Sequence, residues 1–385
     1  MIWLAIPAVL AAAYYCLAIL AAATWRGTAG QGTAGQGTAG AAPPLSVLKP
    51  VHGRDPRFYA AIRSHAMQEY AEFELLFGVS NPEDPALGDI RQLQREFPER
   101  RIEIVIAPTE APNRKVGVML ELAKRARYEV LLVNDSDIVV EPGYFRAVTA
   151  PLEDASIGMV TCLYRAAADS WAARFEALGI ATEFAPSVLV ARLLNVAEFA
   201  LGSTMVFRAA ALKQIGGFEA IANYVADDYQ LGKRISELGS RIVFAPVVVE
   251  TDLGGESWGS TWRHQLRWSR TIRVSRASGY YGYVVTHATL WGIVALAAGQ
   301  WWAGAAALGL RMIAGVWVGT GILHDRKTLR DCWLIPLRDL FGFAVWVGGL
   351  FGDKVEWRDR TLTLRPDGRI VDQSRDADRA RVRDR

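Results

Sequence analysis

The chain has 385 residues, 51% of them hydrophobic and 13 of them tryptophan, so it is long enough for one large domain or two ordinary ones. Its 43 basic and 40 acidic residues give a net charge of +3, and this balance argues against a nucleic-acid-binding protein, which would show a concentrated basic face. Cys16, Cys162 and Cys332 lie far apart and form no CxxC pattern, so neither a disulfide framework nor a zinc site is expected.

The amino-terminal segment, residues 1–25, predicts a transmembrane helix. Residues 2–25 contain no charged side chain, and about 20 apolar residues in a helix cross a hydrocarbon layer. A cleaved signal peptide is the alternative, but the segment is long and lacks a basic start. Residues 26–44, with the repeat "GTAGQGTAGQGTAG", predict a flexible Gly/Ala/Thr/Gln linker.

Residues 45–282 predict one α/β domain. Apolar runs that read as strands alternate with segments that have helical spacing. The strands are 45–53, 73–80, 101–108, 128–135 and 241–251, with a further strand opening 198–218, and the helices include 56–68, 87–97 and 115–126. Continuous apolar strands indicate a mostly parallel, Rossmann-like sheet covered on both faces. Ligands of such sheets bind at the carboxyl ends of the strands, and no GxGxxG dinucleotide fingerprint is present.

Acidic side chains follow two of these strands. Asp84 lies in the loop after 73–80, and Asp135 and Asp137 end the most apolar strand, in "LLVNDSDIVV". Two carboxylates one residue apart can face a divalent cation, Mg²⁺ or Mn²⁺, whose other positions are filled by water and phosphate oxygens. The alternative is that both aspartates cap the following turn.

Further candidates lie at the starts of helices. Lys115, in "APNRKVG", precedes a helix where a phosphate could meet a cation and amide donors; a solvated helix start is the alternative. Asp227 and Asp228 also precede a helix, and capping explains one of the two but does not require both. Gly202 follows an apolar run, and so small a residue permits the backbone to approach a ligand.

The stretch "STWRHQLRWSRTIR", residues 260–273, is basic and aromatic. Arg263, Arg267 and Arg270 recur at helical spacing, and with Trp262 and Trp268 they suit a diphosphate or a flat ring. The alternative is a basic helix at the membrane surface, and the two functions are compatible.

The carboxyl-terminal third predicts more membrane segments. Residues 283–323 carry one charged residue, Arg311, and are long enough for two transmembrane helices. Residues 333–352 contain the adjacent charges of Arg338 and Asp339, which are costly inside a span, so a re-entrant or membrane-interface hairpin is expected there.

Topology follows from the positions of the basic residues. Residues 324–331 and the tail 353–385 are rich in Lys and Arg, and the latter carries many Asp residues as well. The positive-inside rule puts both segments, and with them 45–282, on the cytoplasmic side of a multi-pass protein of the cell (inner) membrane.

The order of these motifs resembles the ceramide glucosyltransferase family, family 21, and its bacterial relatives, which include hopanoid biosynthesis-associated glycosyltransferases. The family pattern D, D, D, (Q/R)xxRW is matched by Asp84, Asp135, Asp228 and Arg267-Trp268. The resemblance covers about 45–280 and extends into 356–370, and it implies a GT-A fold.

The resemblance also implies roles. Asp84 would contact the uridine of a UDP-sugar, Asp135 and Asp137 would serve the diphosphate and the metal, and Asp228 would be the catalytic base. One base without a second enzymic nucleophile suggests single displacement with inversion, by analogy with inverting glycosidases. Asp137 replaces a glycine of the animal ceramide enzymes, which favours the bacterial branch.

The basic motif would complete the substrate site. Arg267 and Trp268 are implied to bind the diphosphate and the acceptor, and His264 stands where the family has Gln or Arg. His264, Lys115 and Asp227 are therefore further substrate-binding candidates.

The resulting hypothesis is a membrane-bound inverting glycosyltransferase that moves a hexose or N-acetylhexosamine from a UDP-sugar to the hydroxyl of a ceramide- or hopanoid-type lipid. A processive polysaccharide synthase of the D,D,D,QxxRW type is the main alternative, but it needs more transmembrane helices than the two to four available here. A non-catalytic membrane scaffold is a third hypothesis, and retention of the three aspartates argues against it.

Overall fold

The computed structural model describes residues 2–25, 42–357 and 360–372, so the linker 26–44 falls almost wholly, and the end of the tail entirely, outside the described residues. Ten strands are present in these ranges: β1 Leu45–Val51, β2 Phe73–Val79, β3 Arg101–Ile106, β4 Val130–Val133, β5 Ile157–Ala167, β6 Met205–Arg208, β7 Arg241–Asp252, β8 Lys354–Trp357, β9 Arg360–Leu364 and β10 Ile370–Asp372.

Fifteen α-helices occur in the same described ranges: α1 Ile6–Ala23, α2 Phe58–Ala66, α3 Ala86–Glu96, α4 Arg114–Arg125, α5 Tyr144–Thr149, α6 Trp171–Gly179, α7 Ala185–Leu193, α8 Ala209–Gln214, α9 Asp227–Glu237, α10 Trp258–Ser275, α11 Ala277–Gly282, α12 Ala288–Ala297, α13 Trp301–Trp317, α14 Lys327–Asp331 and α15 Ile335–Gly349. A turn of π-helix, Ile180–Phe184, joins α6 to α7.

The chain divides into two units. The sheet unit consists of Arg26–Ala166 and Glu198–Gly254, and the helix unit of Met1–Trp25, Ala167–Ala197 and Gly255–Arg385. The domain expected at 45–282 is therefore too broad, because helices α6, α7, α10 and α11 belong to the helix unit. Helices α6, α7 and α10 carry charged residues and so resemble surface helices of a soluble domain, but several of these side chains have partners inside the helix unit, such as Arg174 with Asp331 and Glu176 with His264.

The sheet unit is built on a seven-stranded sheet in the order β3-β2-β1-β4-β6-β5-β7. Strands β3, β2, β1 and β4 are parallel, whereas β6 is antiparallel to β4 and β5 is antiparallel to β6. This confirms the predicted mostly parallel α/β sheet. Strand β5, which has the apolar run of a buried strand, was not among the predicted elements.

Both faces of the sheet are covered by helices. Successive residues of β2 alternate between two apolar cores: Leu75 and Phe77 pack in one core with α2, α3 and α5, and Leu76 packs in the other with α4 and α9. Every residue of β1 and β2 is buried, which is why these strands read as continuous apolar runs rather than as alternating ones.

In the helix unit, three helices within the described residues are long and apolar enough to cross a membrane: Trp3–Ala23, Trp301–Ile322 and Lys327–Gly349. The first coincides with the predicted amino-terminal span. Of the two spans predicted in 283–323, the second has sufficient length, whereas Ala288–Ala297 has ten residues and is shorter than the roughly 20 that a crossing needs.

The hairpin predicted for 333–352 is wrong in shape, because α15 runs through these residues as one continuous helix. The charges that motivated the hairpin are compensated by partners. Asp339 accepts hydrogen bonds from Arg311, with Nη2 to Oδ1 at 2.6 Å, and from Thr289 at 2.6 Å, and Arg338 lies 3.2 Å from Glu183. Paired charges of this kind can be accommodated inside a helix bundle.

Breaking the central ion pair tests its contribution to stability. Arg311 and Asp339 have side chains only 1% and 3% exposed, so Asp339→Ala leaves a buried guanidinium unpaired and is expected to lower the free energy of unfolding by about 3–5 kcal/mol. The measurement is thermal or denaturant unfolding of the detergent-solubilised protein.

Glu356→Ala is the matched control, since the Arg263–Glu356 pair is 55% and 61% exposed and is expected to contribute about 1 kcal/mol or less. Equal losses of stability in the two variants would show that the Arg311–Asp339 pair does not hold the helices together.

Candidate active site

The loops that carry the predicted aspartates follow neighbouring parallel strands. Strand β1 pairs with β2 on one side and with β4 on the other, so the loops after these three strands leave the same edge of the sheet. Asp84 lies in the loop after β2, and Asp135 and Asp137 lie in the turn after β4. The topology thus puts the predicted carboxylates at the edge where ligands of parallel sheets bind.

Lys115 holds two of the acidic residues together. Its Nζ lies 2.7 Å from Oδ1 of Asp135 and 3.1 Å from Oδ2 of Asp227. Burial lowers the pKa of Lys115, but the charges of Asp135, Asp227 and Asp228 outweigh burial and keep this pKa above its usual value. Asn113 caps α4 by accepting a hydrogen bond from Val116 N, which places Lys115 in the first turn.

Gly202 lies at the point where these charged groups converge. Its N–H donates to Oδ2 of Asp228 at 3.0 Å. A Cβ atom built at Gly202 would lie 3.2 Å from Asp135 Oδ2, 3.5 Å from Asp228 Oδ2 and 3.6 Å from Lys115 Nζ. The three charges therefore surround a residue that has no side chain, as the small residue at this position indicated.

Asp228 has the properties of a proton acceptor. Burial raises its pKa to about 6, the charge of Asp227 adds to the effect, and Lys115 opposes it. The capping alternative does not describe this site, because the residue before α9 is Ala226 and both aspartates lie within the first turn. A carboxylate with a pKa just below neutral can accept a proton in general-base catalysis.

Asp137 is directed to the end of strand β7. Its Oδ2 accepts hydrogen bonds from the hydroxyl of Thr251 and, at 3.2 Å, from the N–H of Asp252. Burial raises the pKa of Asp137, and the like charge of Asp135 raises it further. Across residues 2–25, 42–357 and 360–372, no group of three His, Cys, Asp or Glu side chains is arranged to hold a metal ion, so the aspartate pair would be a partial site only.

Lys49 is a charged neighbour of the site that the sequence analysis missed. It is fully buried in β1, and its Nζ donates to the main-chain oxygen of Asp135 at 3.1 Å. Burial lowers the pKa of Lys49 to about 7, although Asp137 and Asp135 favour the charged form. A lysine inside an otherwise apolar strand, LSVLKPV, is the signal that would have identified it.

Asp84 connects the loops that follow β1 and β2. Its Oδ2 accepts from Gly53 N and its Oδ1 from Ala86 N, both at 2.9 Å. Gly53 has a φ of +74°, a conformation that favours glycine. These contacts give Asp84 a loop-shaping role whether or not it binds a nucleotide.

The basic motif lies on α10 in the helix unit. His264 Nδ1 is 2.7 Å from Glu176 Oε1, the His264 and Trp268 rings are 4.7 Å apart, and Arg267 lies 6.0 Å from the ring of Trp357.

Arginines at the end of α10 bind the backbone after α15. Arg270 donates to the carbonyl oxygens of Phe351 and Lys354, and Arg273 to those of Leu350 and Gly352. Arg270, predicted as part of a cationic ligand-binding face, therefore has a structural contact with this segment.

The fold is that of a GT-A glycosyltransferase. The mannosyltransferase PcManGT from Pyrobaculum calidifontis, solved in complex with GDP-Man and Mn²⁺, superposes with a TM-score of 0.52 at 16% identity, covering 90% of this chain and 99% of that one. The family model "Glycosyl transferase family 21" matches residues 3–370, and the chain belongs to this family. The predicted fold, family and enzyme class are thereby confirmed.

Curated relatives match over shorter stretches. Ceramide glucosyltransferase 1 of Caenorhabditis elegans is 30% identical over 202 residues, which are 52% of this chain and 43% of the relative. The probable glycosyltransferase YdaM of Bacillus subtilis is 25% identical over 236 residues, 59% of this chain and 55% of the relative. The matched part is thus about half the length of each relative.

The pH dependence of stability tests the environment of Asp228. Its pKa is raised from 3.8 to about 6, so the folded state holds this proton more tightly than the unfolded state does. The stability of the wild type, relative to Asp228→Asn, is therefore expected to fall as pH rises from about 4 to about 6 and to stay constant above, by about 1–3 kcal/mol in all.

Unfolding midpoints measured across this pH range provide the comparison. Glu83→Gln, a substitution at an exposed position in the loop of Asp84, is the control and is expected to follow the wild type. If the difference between Asp228→Asn and the wild type did not change with pH, the raised pKa would be excluded.

Proposed function

We propose that the chain is a membrane-bound inverting glycosyltransferase that transfers a hexose or N-acetylhexosamine from a UDP-sugar to the hydroxyl of a ceramide- or hopanoid-type lipid. The observation that supports this most directly is the convergence of Asp135, Asp228 and Lys115 on Gly202. Sugar transfer requires a diphosphate to depart and a hydroxyl to lose its proton, and this cluster contains both a cation and a suitable base.

Asp228 is proposed as the base. The N–H of Gly202 holds one of its oxygens at 3.0 Å, and its pKa of about 6 leaves it ionised at neutral pH yet able to accept a proton from the acceptor hydroxyl. If Asp228 acts as the base and no side chain acts as a nucleophile, direct displacement would invert the configuration at the sugar carbon.

Asp135 and Asp137 fit a divalent cation, Mg²⁺ or Mn²⁺. Both offer the oxygen ligands that such ions prefer, and the like charge of Asp135 that raises the pKa of Asp137 is a repulsion that a cation would relieve. When bound, the ion would supply neutralisation of the departing diphosphate. The complex of PcManGT with Mn²⁺ supports this assignment by analogy of fold.

The remaining site residues are proposed to bind the substrates. In the sheet unit, Asp84 is assigned to the uridine, and Lys115 and Asp227 to the sugar diphosphate. Lys115 suits this role because its ammonium group is held in place by two carboxylates.

In the helix unit, Arg267 and Trp268 are assigned to the diphosphate and the acceptor. The sequence motif supports these assignments. The guanidinium carbon of Arg267 lies 6.0 Å from the centre of the Trp357 ring, a contact that can help to fix the orientation of the guanidinium group. His264 belongs to the same group of substrate-binding residues.

A lipid acceptor and a membrane location are supported by the helix unit. Three helices of this unit have the length and apolar composition of spans, and the sequence relatives of the chain include ceramide glucosyltransferases. The basic residues of the tail 353–385 support a multi-pass protein of the inner membrane with the sheet unit in the cytoplasm. If Trp301–Ile322 and Lys327–Gly349 both cross, residues 323–326 between them would lie on the opposite side, contrary to the topology expected for 324–331.

A direct assay tests the function. Membranes that contain the protein are incubated with radiolabelled UDP-glucose or UDP-N-acetylglucosamine and a divalent cation, and the label is expected in lipid that organic solvent extracts. Label in a polymer would favour a polysaccharide synthase instead, and no incorporation from either donor would contradict sugar transfer. Membranes from cells that lack the gene are the control.

Two substitutions separate binding from chemistry. Asp228→Asn is expected to bind the UDP-sugar as the wild type does but to transfer it about 10²–10⁴-fold more slowly, because the general base is lost. Asp135→Ala is expected to lose the part of UDP-sugar binding that depends on Mn²⁺, because it removes a proposed metal ligand.

Calorimetric titration with and without Mn²⁺, together with single-turnover rates, measures both effects. Asp89→Asn, which removes the partner of Arg54 on α3, is the control. Unchanged turnover in Asp228→Asn would remove it from the base role, and equal affinity with and without metal in the wild type would exclude the ion from donor binding.

A further inference from the structure

A buried carboxylate, Glu176 of α6, supports one end of the basic motif. Its side chain is 0% exposed, and its Oε1 lies 2.7 Å from Nδ1 of His264 and accepts a hydrogen bond from Nε2 of Gln265 at 3.0 Å. Its other oxygen, Oε2, is buried without a hydrogen-bond partner in the described part of the chain. A buried oxygen without a hydrogen-bond partner lowers the stability of the folded protein by about 1–3 kcal/mol, which favours a functional reason for Glu176 at this position.

Glu176 is kept in its charged form by its neighbours. Burial raises the pKa of this carboxyl, but the contact with Nδ1 of His264, the amide of Gln265 and the charge of Arg338 outweigh burial and lower it. Arg338 is in turn held by Gln265 at 2.9 Å and by Glu183 at 3.2 Å. The carboxylate is therefore a fixed acceptor in a chain of polar contacts within the helix unit.

This contact decides which nitrogen of His264 is presented outward. A neutral imidazole has one N–H and one acceptor nitrogen, and a carboxylate that accepts from Nδ1–H selects the form in which Nε2 is the acceptor. The side chain is 30% exposed, and no residue of the described ranges forms a hydrogen bond with Nε2. Arg at this position would offer only N–H donors, and Gln would offer both a donor and an acceptor, whereas Nε2 of this form of His264 is an acceptor alone.

The surroundings of His264 suit a neutral amphipathic molecule. The Trp268 and His264 rings pack edge to face with their centroids 4.7 Å apart, and the ring centroids of Phe184 and Trp268 are 6.2 Å apart. An acceptor nitrogen backed by the negative charge of Glu176 repels an anionic phosphate, whereas it attracts the proton of a hydroxyl group. Aromatic rings beside it supply apolar contact for the body of the same ligand.

We propose that Glu176 is a positioning residue that orients His264, so that Nε2 accepts a hydrogen bond from a hydroxyl of the lipid acceptor. The inference rests on the proposed function, and it assigns His264 to the acceptor rather than to the diphosphate of the donor. The side chain that differs from the family pattern thereby becomes a determinant of acceptor recognition.

The first test is spectroscopic and does not depend on activity. The protein has five histidines, so selective ¹⁵N-histidine labelling gives few signals, and His264→Gln identifies the one from His264. In the wild type the His264 signal is expected to show a protonated Nδ1 and an unprotonated Nε2. In Glu176→Ala the two neutral tautomers of His264, protonated at Nδ1 or at Nε2, are expected to interconvert.

Two variants control for indirect effects on folding. Glu176→Gln retains an oxygen acceptor for Nδ1–H and is expected to keep the wild-type signal. Glu356→Gln removes the partner of Arg263 on the same helix, α10, and is expected to leave His264 unchanged. Protonation of both ring nitrogens in the wild type, or the same signal in Glu176→Ala, would overturn the proposal.

The second test uses kinetics with the lipid fraction that becomes labelled in the transfer assay. Glu176→Ala and His264→Ala are each expected to raise KM for the lipid about tenfold, to leave KM for the UDP-sugar unchanged, and to have no larger effect together than singly, because they remove the same hydrogen bond. Glu176→Gln is expected to have a KM for the lipid close to that of the wild type, because Gln keeps an oxygen that can accept the hydrogen bond from Nδ1.

Other outcomes separate this inference from the proposed function. A raised KM for the UDP-sugar, or additive effects of the two substitutions, would overturn the acceptor role of His264 while leaving sugar transfer intact. Absence of lipid labelling by the wild type would overturn the proposed function and the acceptor role together, and the nitrogen signals would still decide whether Glu176 positions His264.

Discussion

The cation–carboxylate bridge made by Lys115 is the interaction on which the candidate site depends. Without it, Asp135, Asp227 and Asp228 would be like charges crowded at one edge of a sheet, and mutual repulsion would favour their protonation or separation. Lys115 contacts two of the three and lies near the third. Gly202 completes the arrangement, since any side chain there would occupy the space that these groups share.

Buried charges in the helix unit are also neutralised by side chains of opposite charge. Charged residues of its helices would be costly among apolar side chains, and two of the buried ones have a specific counter-charge: Arg311 binds Asp339, and Arg338 binds Glu183. Such pairs rarely increase stability over an apolar core, but losing one partner is expensive, so they constrain how the helices pack. Glu176, which lies 2.7 Å from His264, adds a buried polar contact to the basic motif of α10.

Several elements were predictable because their signal is local. The buried strands β1 and β2 were recognised from uninterrupted apolar runs, and the loops at their carboxyl ends from the turn residues that follow. The prediction of a hairpin at 333–352 was wrong because it treated the charges of Arg338 and Asp339 as unpaired. Their partners lie 28 and 155 positions away along the chain, and nothing in the local sequence indicates such pairing.

The sequence by itself determined the order of the acidic and basic motifs, the parallel α/β sheet and the apolar helices, because each follows from local periodicity or from spacing along the chain. Only the tertiary structure decided which of these side chains meet. Lys49 donates a hydrogen bond to the main-chain oxygen of Asp135, and Glu176 lies 2.7 Å from His264, because strands and helices distant in sequence pack together. Charge state and hydrogen-bonding character depend on those neighbours, and a linear pattern does not specify them.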